Sequence, residues 1–335
     1  MANFPSRTDI VTAMRNPQTS FKSSELIGGN VIQKGSRVVQ YSGGYTTVFP
    51  FNTKNLKKVA VRCWIADIGD AKRRSQEISA YLDNLCHPYF AGFKYIENAL
   101  LVNGNMHAVV VMDWVKGKTL KAYIDDNVSA PHTIIAIANK FKEMVEYFHK
   151  QNIAHGDLQH GNILVKDDGS LVAIDYDSMY ISPLTGMPDV IKGLPGYQHP
   201  ARGKNQLLNP KLDYFSELVI YLSLLIYAEE PHLWGEYYET EDLLFSKEDF
   251  ENPDKSLLIT KFCNSPNAAI ANLSAKLKEE LLVKDISELR PLEELMINKL
   301  DVAKDSIFDK WDMQPNPPTI KAPIVPSLSS IIDKF

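Results

Sequence analysis

The chain has 335 residues and a mass of 37.8 kDa, which predicts two domains or one enzyme with two lobes. Its formal net charge of −5 argues against nucleic acid as the main partner. The three cysteines are scattered, which argues against a disulfide framework. The N-terminus has no apolar core, which argues against a secretory signal, and the lack of a long apolar run argues against a membrane partner. We therefore expect a cytoplasmic protein.

The N-terminal third carries the strand signals. Three runs are rich in Val, Tyr and Phe, namely 37–41, 46–51 and 59–64. The pair Gly43-Gly44 between the first two runs predicts a hairpin turn. Residues 70–85 have apolar positions at helical spacing and predict one helix, and residues 107–114 predict a further strand.

The rest of the chain is mostly helical in pattern. One apolar face runs through residues 134–149 and predicts a helix, whereas 163–165 and 171–174 are short strands around a turn. The pattern after residue 210 is helical. The stretch 314–326 holds five of the 19 prolines and predicts an extended tail.

The densest chemistry lies between His155 and Asp177. Asp157, Asn162 and Asp175 fall on loops beside the two short strands. Phosphoryl transfer needs one carboxylate to orient and deprotonate a hydroxyl, and it needs hard oxygen ligands to hold Mg²⁺ on the phosphates. The same residue types also form plain turns, but their spacing and the flanking strands favour phosphoryl transfer.

This segment resembles the protein-kinase-like superfamily, through the motif His-Gly-Asp-Leu-Gln-His-Gly-Asn at 155–162 and Ile-Asp-Tyr-Asp at 174–177. Together with Ala-Val-Arg-Cys-Trp at 60–64, it is most similar to a group of bacterial protein-kinase-like proteins. The resemblance implies an α+β, bilobal fold, with an antiparallel sheet and one helix in the N-lobe and a mostly helical C-lobe. The implied divisions are an N-terminal extension at 1–34, an N-lobe at 35–114, a C-lobe at 115–313 and a proline-rich C-terminal tail at 314–335.

The resemblance also assigns roles in the catalytic loop. Asp157 would be the catalytic base, and Asn162 and Asp175 would bind Mg²⁺. His155 and Tyr176 would be packed core residues without a chemical role.

The resemblance places an ATP site between the lobes. Met112 would be the gatekeeper residue, backbone groups of Asp113 and Val115 would bond adenine, and Leu164 would form the floor of the site. Residues 193–200 resemble the end of an activation segment, where a protein substrate would dock.

Arg62 stands where the family has its phosphate-binding lysine. Strand alternation puts Ala60 and Arg62 on one face, and Ala60 and Val48 would roof the adenine. Arg62 could pair with Glu77 on the following helix and bind phosphate through its planar fork, or it could be a surface strand arginine. Lys58 shares the face and is a weaker substitute.

Other positions depart from the family pattern. Tyr41 and Thr46 occupy two glycine positions of the phosphate-covering loop, which limits close approach of its backbone N–H groups. Gly156 replaces the arginine that would receive an activation-segment phosphate, so we expect residues 178–200 to be ordered by packing instead. Ala201 replaces the glutamate that usually pairs with the arginine matched by Arg290.

Three functions are consistent with this pattern. The first is an atypical protein kinase that transfers phosphate from ATP, with Mg²⁺, to Ser or Thr of a protein substrate. The second is a pseudokinase scaffold, favoured by Arg62 and the eroded glycine loop. The third is a small-molecule phosphotransferase of the aminoglycoside or choline type, which shares the His-Gly-Asp motif.

Overall fold

A computed structural model describes residues 4–66, 69–203 and 206–297 of the chain. The tail expected at 314–335 lies outside the described residues, as does the end of the expected C-lobe at 298–313. Within the described part, no helix has the length and apolar character needed to cross a membrane.

The strands build one large and two small antiparallel sheets. In the described ranges they are β1 (Asn30–Val31), β2 (Gln33–Lys34), β3 (Arg37–Val38), β4 (Tyr41–Ser42), β5 (Thr46–Asn52), β6 (Lys58–Trp64), β7 (Phe93–Val102), β8 (Asn105–Asp113), β9 (Lys118–Thr119), β10 (Ile163–Val165) and β11 (Leu171–Ala173). The large sheet has the order β1-β5-β6-β8-β7, and β4 also pairs with β5. β2 pairs with β3, and the third sheet has the order β11-β10-β9.

The helices occur in both halves of the chain, and after β11 the described residues contain helices but no further strand. They are α1 (Arg7–Met14), α2 (Pro17–Ser20), α3 (Ala71–Leu85), α4 (Leu120–Asn127), α5 (Pro131–Lys150), α6 (Tyr214–Glu229), α7 (Trp234–Tyr237), α8 (Lys247–Glu251), α9 (Leu257–Cys263), α10 (Ala268–Glu280) and α11 (Leu292–Met296), with 3-10 turns at Ser182–Leu184, Pro195–Tyr197, Pro231–Leu233 and Ile286–Glu288. A sheet-rich N-lobe with one long helix therefore precedes a helical C-lobe, which confirms the predicted bilobal kinase fold.

Strand β6 is buried on both faces, which explains its nearly continuous apolar sequence. Val59, Val61 and Cys63 belong to a core cluster on one side of the sheet. Ala60 and Arg62 point to the other side, where they line a cavity. The alternation expected from the sequence therefore separates a packing face from a site face.

The N-terminal residues cover the packing face of the sheet. Ile10 and Met14 of α1 are fully buried and belong to the same cluster as Phe49 and Phe51 of β5. Strand β1 pairs with β5 at residues 30–31, so the sheet begins before residue 35.

Strand β7 is an element that the sequence analysis did not identify. Its pairing with β8 shifts register between Ile96 and Leu100, and Asn98 has a φ of 51°, so the apolar alternation is broken midway. A signal was nevertheless present, because Asn103 and Gly104 join the two strands with φ values of 49° and 81°. Asn-Gly with positive φ at both residues is the preferred two-residue hairpin turn.

The C-lobe core forms around α5 and α6. Helix α5 contains the predicted 134–149 helix and buries the expected apolar face, including Phe141 and Phe148. Helix α6 is almost entirely buried, as expected for the most apolar segment of the chain. The loop between α5 and β10 carries the motif at 155–162, and its residues Ala154 and Leu158 are buried in the same core cluster as these helices.

Candidate active site

A cavity of about 450 Å³ lies between the large sheet and the loops around β10 and β11. Its lining contains most of the residues that the sequence assigned to nucleotide or metal, which are Val48, Ala60, Arg62, Met112, Asp113, Val115, Asn162, Leu164 and Asp175. Asp157 and Glu77 are not in the lining. The structure therefore brings together residues that lie more than a hundred positions apart in the chain.

Sheet register explains how the roof residues meet residues 110–117, which resemble the hinge between kinase lobes. Ala60 pairs with Met112 between β6 and β8, and Val48 pairs with Arg62 between β5 and β6. The N–H of Asp113 donates to the carbonyl of Gly92 at 2.9 Å. An adenine contact from Asp113 would therefore use its carbonyl oxygen.

Lys58 and its neighbour Lys57 make contacts with Trp114 and Asp113, two residues of the cavity lining. Lys58 Nζ lies 3.8 Å from the centre of the Trp114 ring, a cation–π contact at the hinge. Lys57 Nζ pairs with Asp113 Oδ1 at 2.6 Å. These contacts place Lys58 beside Trp114, whereas Arg62 lies 3.5 Å from the carboxylate of Asp175.

The catalytic loop is fixed from below by Asp213, which is fully buried at the start of α6. Its carboxylate accepts the backbone N–H of Gly156 at 2.9 Å and that of His155. Burial raises the pKa of Asp213, while the positive charge of Arg202 and these hydrogen bonds oppose the rise. The His155 ring lies against Tyr176, and its Nε2 is 2.8 Å from the carbonyl oxygen of Ile174, so both rings pack in the core as expected.

Asp157 and Asn162 form a hydrogen-bonded pair. Asn162 Nδ2 donates to the backbone oxygen of Asp157 at 2.8 Å and to its Oδ2 at 3.1 Å. The amide oxygen of Asn162 is thus directed away from Asp157, where it suits a hard cation. Burial raises the pKa of Asp157, and the negative charge of Asp175 raises it further. A raised pKa brings a carboxylate closer to the range useful for proton transfer near neutral pH.

Asp175 projects from a strained position that its neighbour holds in place. Its φ is 68°, and its side chain is 55% exposed toward the cavity. The buried Tyr176 donates its hydroxyl hydrogen to the carbonyl of Ala173 at 2.6 Å and accepts the N–H of Ala91 at 2.8 Å. This anchoring keeps the Asp175 carboxylate at the inner end of the cavity.

Arg62 is buried, with a side chain 2% exposed, so it is not a surface arginine. Its guanidinium forms an ion pair with Asp177 through Nη2 and lies 3.5 Å from Asp175 Oδ1 through Nη1. Among the described residues no ion pair joins Arg62 to Glu77. The expected partner on α3 is thus replaced by two carboxylates from the loop after β11.

The activation segment is held by a buried ion pair. Arg202 donates to both carboxylate oxygens of Asp189, at 2.8 and 2.9 Å, and to the carbonyl of Gly156 at 2.6 Å. Gly156 has a φ of 78°, and a Cβ there would lie 2.1 Å from the carbonyl oxygen of Ser178. The close approach of Ser178 explains why no arginine stands at this position.

The expected docking segment is ordered by further contacts. Tyr197 is buried, and its hydroxyl is hydrogen-bonded to Nδ1 of His160 in the catalytic loop. Arg290 Nε donates to Glu280 at 2.6 Å, so a glutamate of α10 fills the place left by Ala201.

Sequence reasoning missed four of these residues: Asp177, Asp189, Arg202 and Glu280. Asp177 pairs with the distant Arg62, whereas Asp189 pairs with Arg202 13 residues away and Glu280 with Arg290 10 residues away, and none of these spacings belongs to a regular helix or strand pattern.

Comparisons with known proteins agree with this architecture. The family model described as the protein kinase domain matches residues 42–287. The chain is 26% identical over 176 residues to the probable serine/threonine-protein kinase mkcD of Dictyostelium discoideum, covering 46% of this chain and 26% of that protein. It is 26% identical over 194 residues to the serine/threonine-protein kinase ppk34 of Schizosaccharomyces pombe, covering 56% and 50%.

A bacterial relative is also similar. The chain is 25% identical over 122 residues to the serine/threonine-protein kinase PknL of Mycobacterium tuberculosis, covering 36% of this chain and 31% of that protein. The alignments thus span between about a quarter and a half of these relatives. The family match covers most of this sequence, including the loop at 155–162 and the segment at 193–200. The chain therefore belongs to the protein kinase domain family.

Proposed function

We propose that the chain transfers the γ-phosphoryl group of ATP, with Mg²⁺, to Ser or Thr hydroxyls of a protein substrate. The observation that carries this proposal is the presence of Asn162 and Asp175 in the lining of the 450 Å³ cavity, with Asp157 hydrogen-bonded to Asn162 beside it. The roof, hinge and floor expected for adenine line the same cavity. A scaffold would need no such set of carboxylate and amide groups.

The side chains present suit an Mg²⁺–nucleotide. Asp175 and Asn162 offer the carboxylate and amide oxygens that Mg²⁺ prefers. Arg62 is a buried cation in the cavity wall, and among the described residues neither its Nε nor its Nη2 makes a hydrogen bond, although Nη2 forms an ion pair with Asp177. A bound phosphate would satisfy such a donor. Mg²⁺ would supply neutralisation of the charge that develops on the phosphoryl oxygens.

In this proposal each residue has one task. Asp157 orients the substrate hydroxyl and accepts its proton, for which its raised pKa suits it. Asn162 and Asp175 hold the metal, and Arg62 holds phosphate. A protein substrate docks near Gly193–Pro200, because this ordered segment lies beside the catalytic loop.

The direct test is incubation of the purified chain with labelled ATP and Mg²⁺, alone and with a generic protein substrate. We expect label on protein Ser or Thr, and we expect its loss in Asp157→Asn. Label transfer that persists unchanged in Asp157→Asn would contradict the proposal, because the activity would then come from another site or a contaminant.

A nucleotide-binding pseudokinase is the second candidate. It is favoured by the ion pairs of Arg62, which occupy both the phosphate cation and the metal-binding carboxylate of Asp175. Binding of Mg-ATP without any transfer to protein would support this candidate. A small-molecule phosphotransferase is the third, and it has less support because the chain retains the ordered segment that ends a kinase activation loop.

A further inference from the structure

The buried Arg62 needs a negative partner, and the structure offers two. A buried guanidinium without a counter-charge would be strongly destabilising. Asp177 Oδ2 forms an ion pair with Nη2, and Asp175 Oδ1 accepts from Nη1 at 3.5 Å. The Asp177 side chain is 22% exposed, against 55% for Asp175. Asp177 is therefore the partner better shielded from water, where an ion pair is stronger.

The two aspartates also differ in what else they can bind. Asp175 lines the cavity and Asp177 does not. A divalent cation bound by Asp175 would compete with Arg62 for the same carboxylate. The pair with Asp177 does not share an oxygen with the metal site, so it can persist when nucleotide and metal arrive.

The position of Asp177 is fixed by the residue before it. Tyr176 is fully buried, and both its hydroxyl contacts are to the backbone, at Ala173 and Ala91. Glu77 is only half-buried on α3, and among the described residues no ion pair joins it to Arg62. The rigid acid near the guanidinium thus comes from the loop after β11.

We propose that Asp177 is the positioning residue for Arg62, and that it takes over the part expected of Glu77. Asp177 holds the guanidinium at the inner end of the cavity, where it meets the nucleotide phosphates. This inference rests on the proposed function, since it assigns Arg62 to phosphate. One consequence is that the placement of the strand cation depends on the Ile174–Asp177 loop and not on α3.

The test compares two isosteric substitutions, Asp177→Asn and Glu77→Gln, by measuring dissociation constants for Mg-ATP and for adenosine. We expect Asp177→Asn to raise the dissociation constant for Mg-ATP about tenfold and to leave that for adenosine unchanged, because the lost contact acts through phosphate alone. Glu77→Gln should change neither constant. A general loss of structure would raise both dissociation constants. The ratio of the constant for Mg-ATP to that for adenosine therefore separates a positioning effect from a folding defect.

A double-mutant cycle with Arg62→Gln shows whether Asp177 acts through Arg62. We expect Asp177→Asn to add almost nothing to the Mg-ATP loss of Arg62→Gln. If Asp177→Asn does not fold alone, the double variant, which removes both charges, should recover the fold. The inference would be overturned by any of three results. These are additive losses of Mg-ATP affinity in the cycle, a double variant that stays unfolded, and a loss of affinity in Glu77→Gln without one in Asp177→Asn.

The parent protein separates this inference from the proposed function. If the parent does not bind Mg-ATP at all, the proposed function fails and the inference fails with it. If the parent binds Mg-ATP and the Asp177→Asn variant binds it equally well, only the inference fails.

Discussion

The backbone of Gly193 lies directly against the carboxylate of Asp157. A Cβ added at Gly193 would come within 2.3 Å of Asp157 Oδ1 and within 2.5 Å of Gln198 Nε2. Both of these polar atoms are buried and have no hydrogen-bond partner among the described residues. The segment that begins at Gly193 therefore approaches the carboxylate of Asp157 as closely as a glycine permits.

Gly193→Ala should reduce phosphoryl transfer while leaving Mg-ATP affinity nearly unchanged. The new methyl group would displace the end of the Asp157 side chain, whose position depends on Asn162. A small misplacement of a catalytic group costs on the order of a hundredfold in rate. Steady-state kinetics and a nucleotide titration would measure the two effects.

The matched control is Gly235→Ala in α7, because a Cβ there meets nothing within 4 Å. We expect this variant to keep both rate and affinity. If Gly193→Ala transfers phosphate as fast as the parent, the carboxylate of Asp157 does not need the position seen in the structure.

Asp175→Asn and Asp157→Asn should separate binding from transfer. Asp175→Asn removes an anionic ligand of a hard dication, so Mg-ATP affinity should fall about tenfold or more. Asp157→Asn retains an oxygen that can accept from Asn162 and removes the base, so transfer should fall by roughly 10²–10⁴-fold with little change in affinity. Thermal-shift titration with Mg-ATP and a transfer assay would distinguish them, and equal loss of affinity in both variants would refute the separate roles.

Much of this arrangement follows from local sequence, and the remainder depends on long-range pairing. The loop from His155 to Asn162 is predictable because the features that identify it, particular residue types at short spacing, lie within one segment of the sequence. The pairing of Arg62 with Asp177 is not predictable from the sequence, because Glu77 is nearer to Arg62 along the chain and only folding brings the loop after β11 to β6. Strand β7 was missed because its register shift hides the alternation on which strand prediction depends.

The activation segment should keep its order and support activity without phosphorylation. The buried pair of Arg202 and Asp189 already supplies the charge contact that a phosphate and an arginine would otherwise make. Phosphatase treatment of the purified protein should therefore leave transfer to protein substrate intact. Full loss of activity after dephosphorylation would contradict this prediction.

Arg202→Met tests the same pair by removing its cation. Asp189 would then keep only the partly exposed Lys192 as a cationic partner, so the free energy of unfolding should fall by up to about 3–5 kcal/mol. Arg73→Met, at an exposed position of α3, is the control and should change stability by less than about 0.5 kcal/mol. Urea denaturation of both variants measures the difference, and similar values for the two would show that Arg202 is not an anchor.

His149 should make the fold less stable as the solution becomes alkaline. Its ring lies between two carboxylates, with Nε2 2.9 Å from Glu217 and Nδ1 3.0 Å from Glu293, and against the ring of Tyr214. Burial disfavours the charged ring, but hydrogen bonds and attraction from the two glutamates outweigh it and raise the pKa of His149 to about 9. The folded protein therefore holds a proton that the unfolded chain releases near pH 6.5.

The stabilisation from His149 is complete below about pH 6.5 and is lost as the pH rises toward 9, since the folded state binds more protons in this interval. The free energy of unfolding should fall by on the order of 3 kcal/mol across it. Urea denaturation at several pH values would show this slope in the parent and a flatter one in His149→Gln. The exposed His232, 3.7 Å from Glu230, supplies the control, and His232→Gln should keep the slope of the parent. Equal slopes in the parent and His149→Gln would mean that the imidazolium between Glu217 and Glu293 does not contribute to the pH dependence of folding.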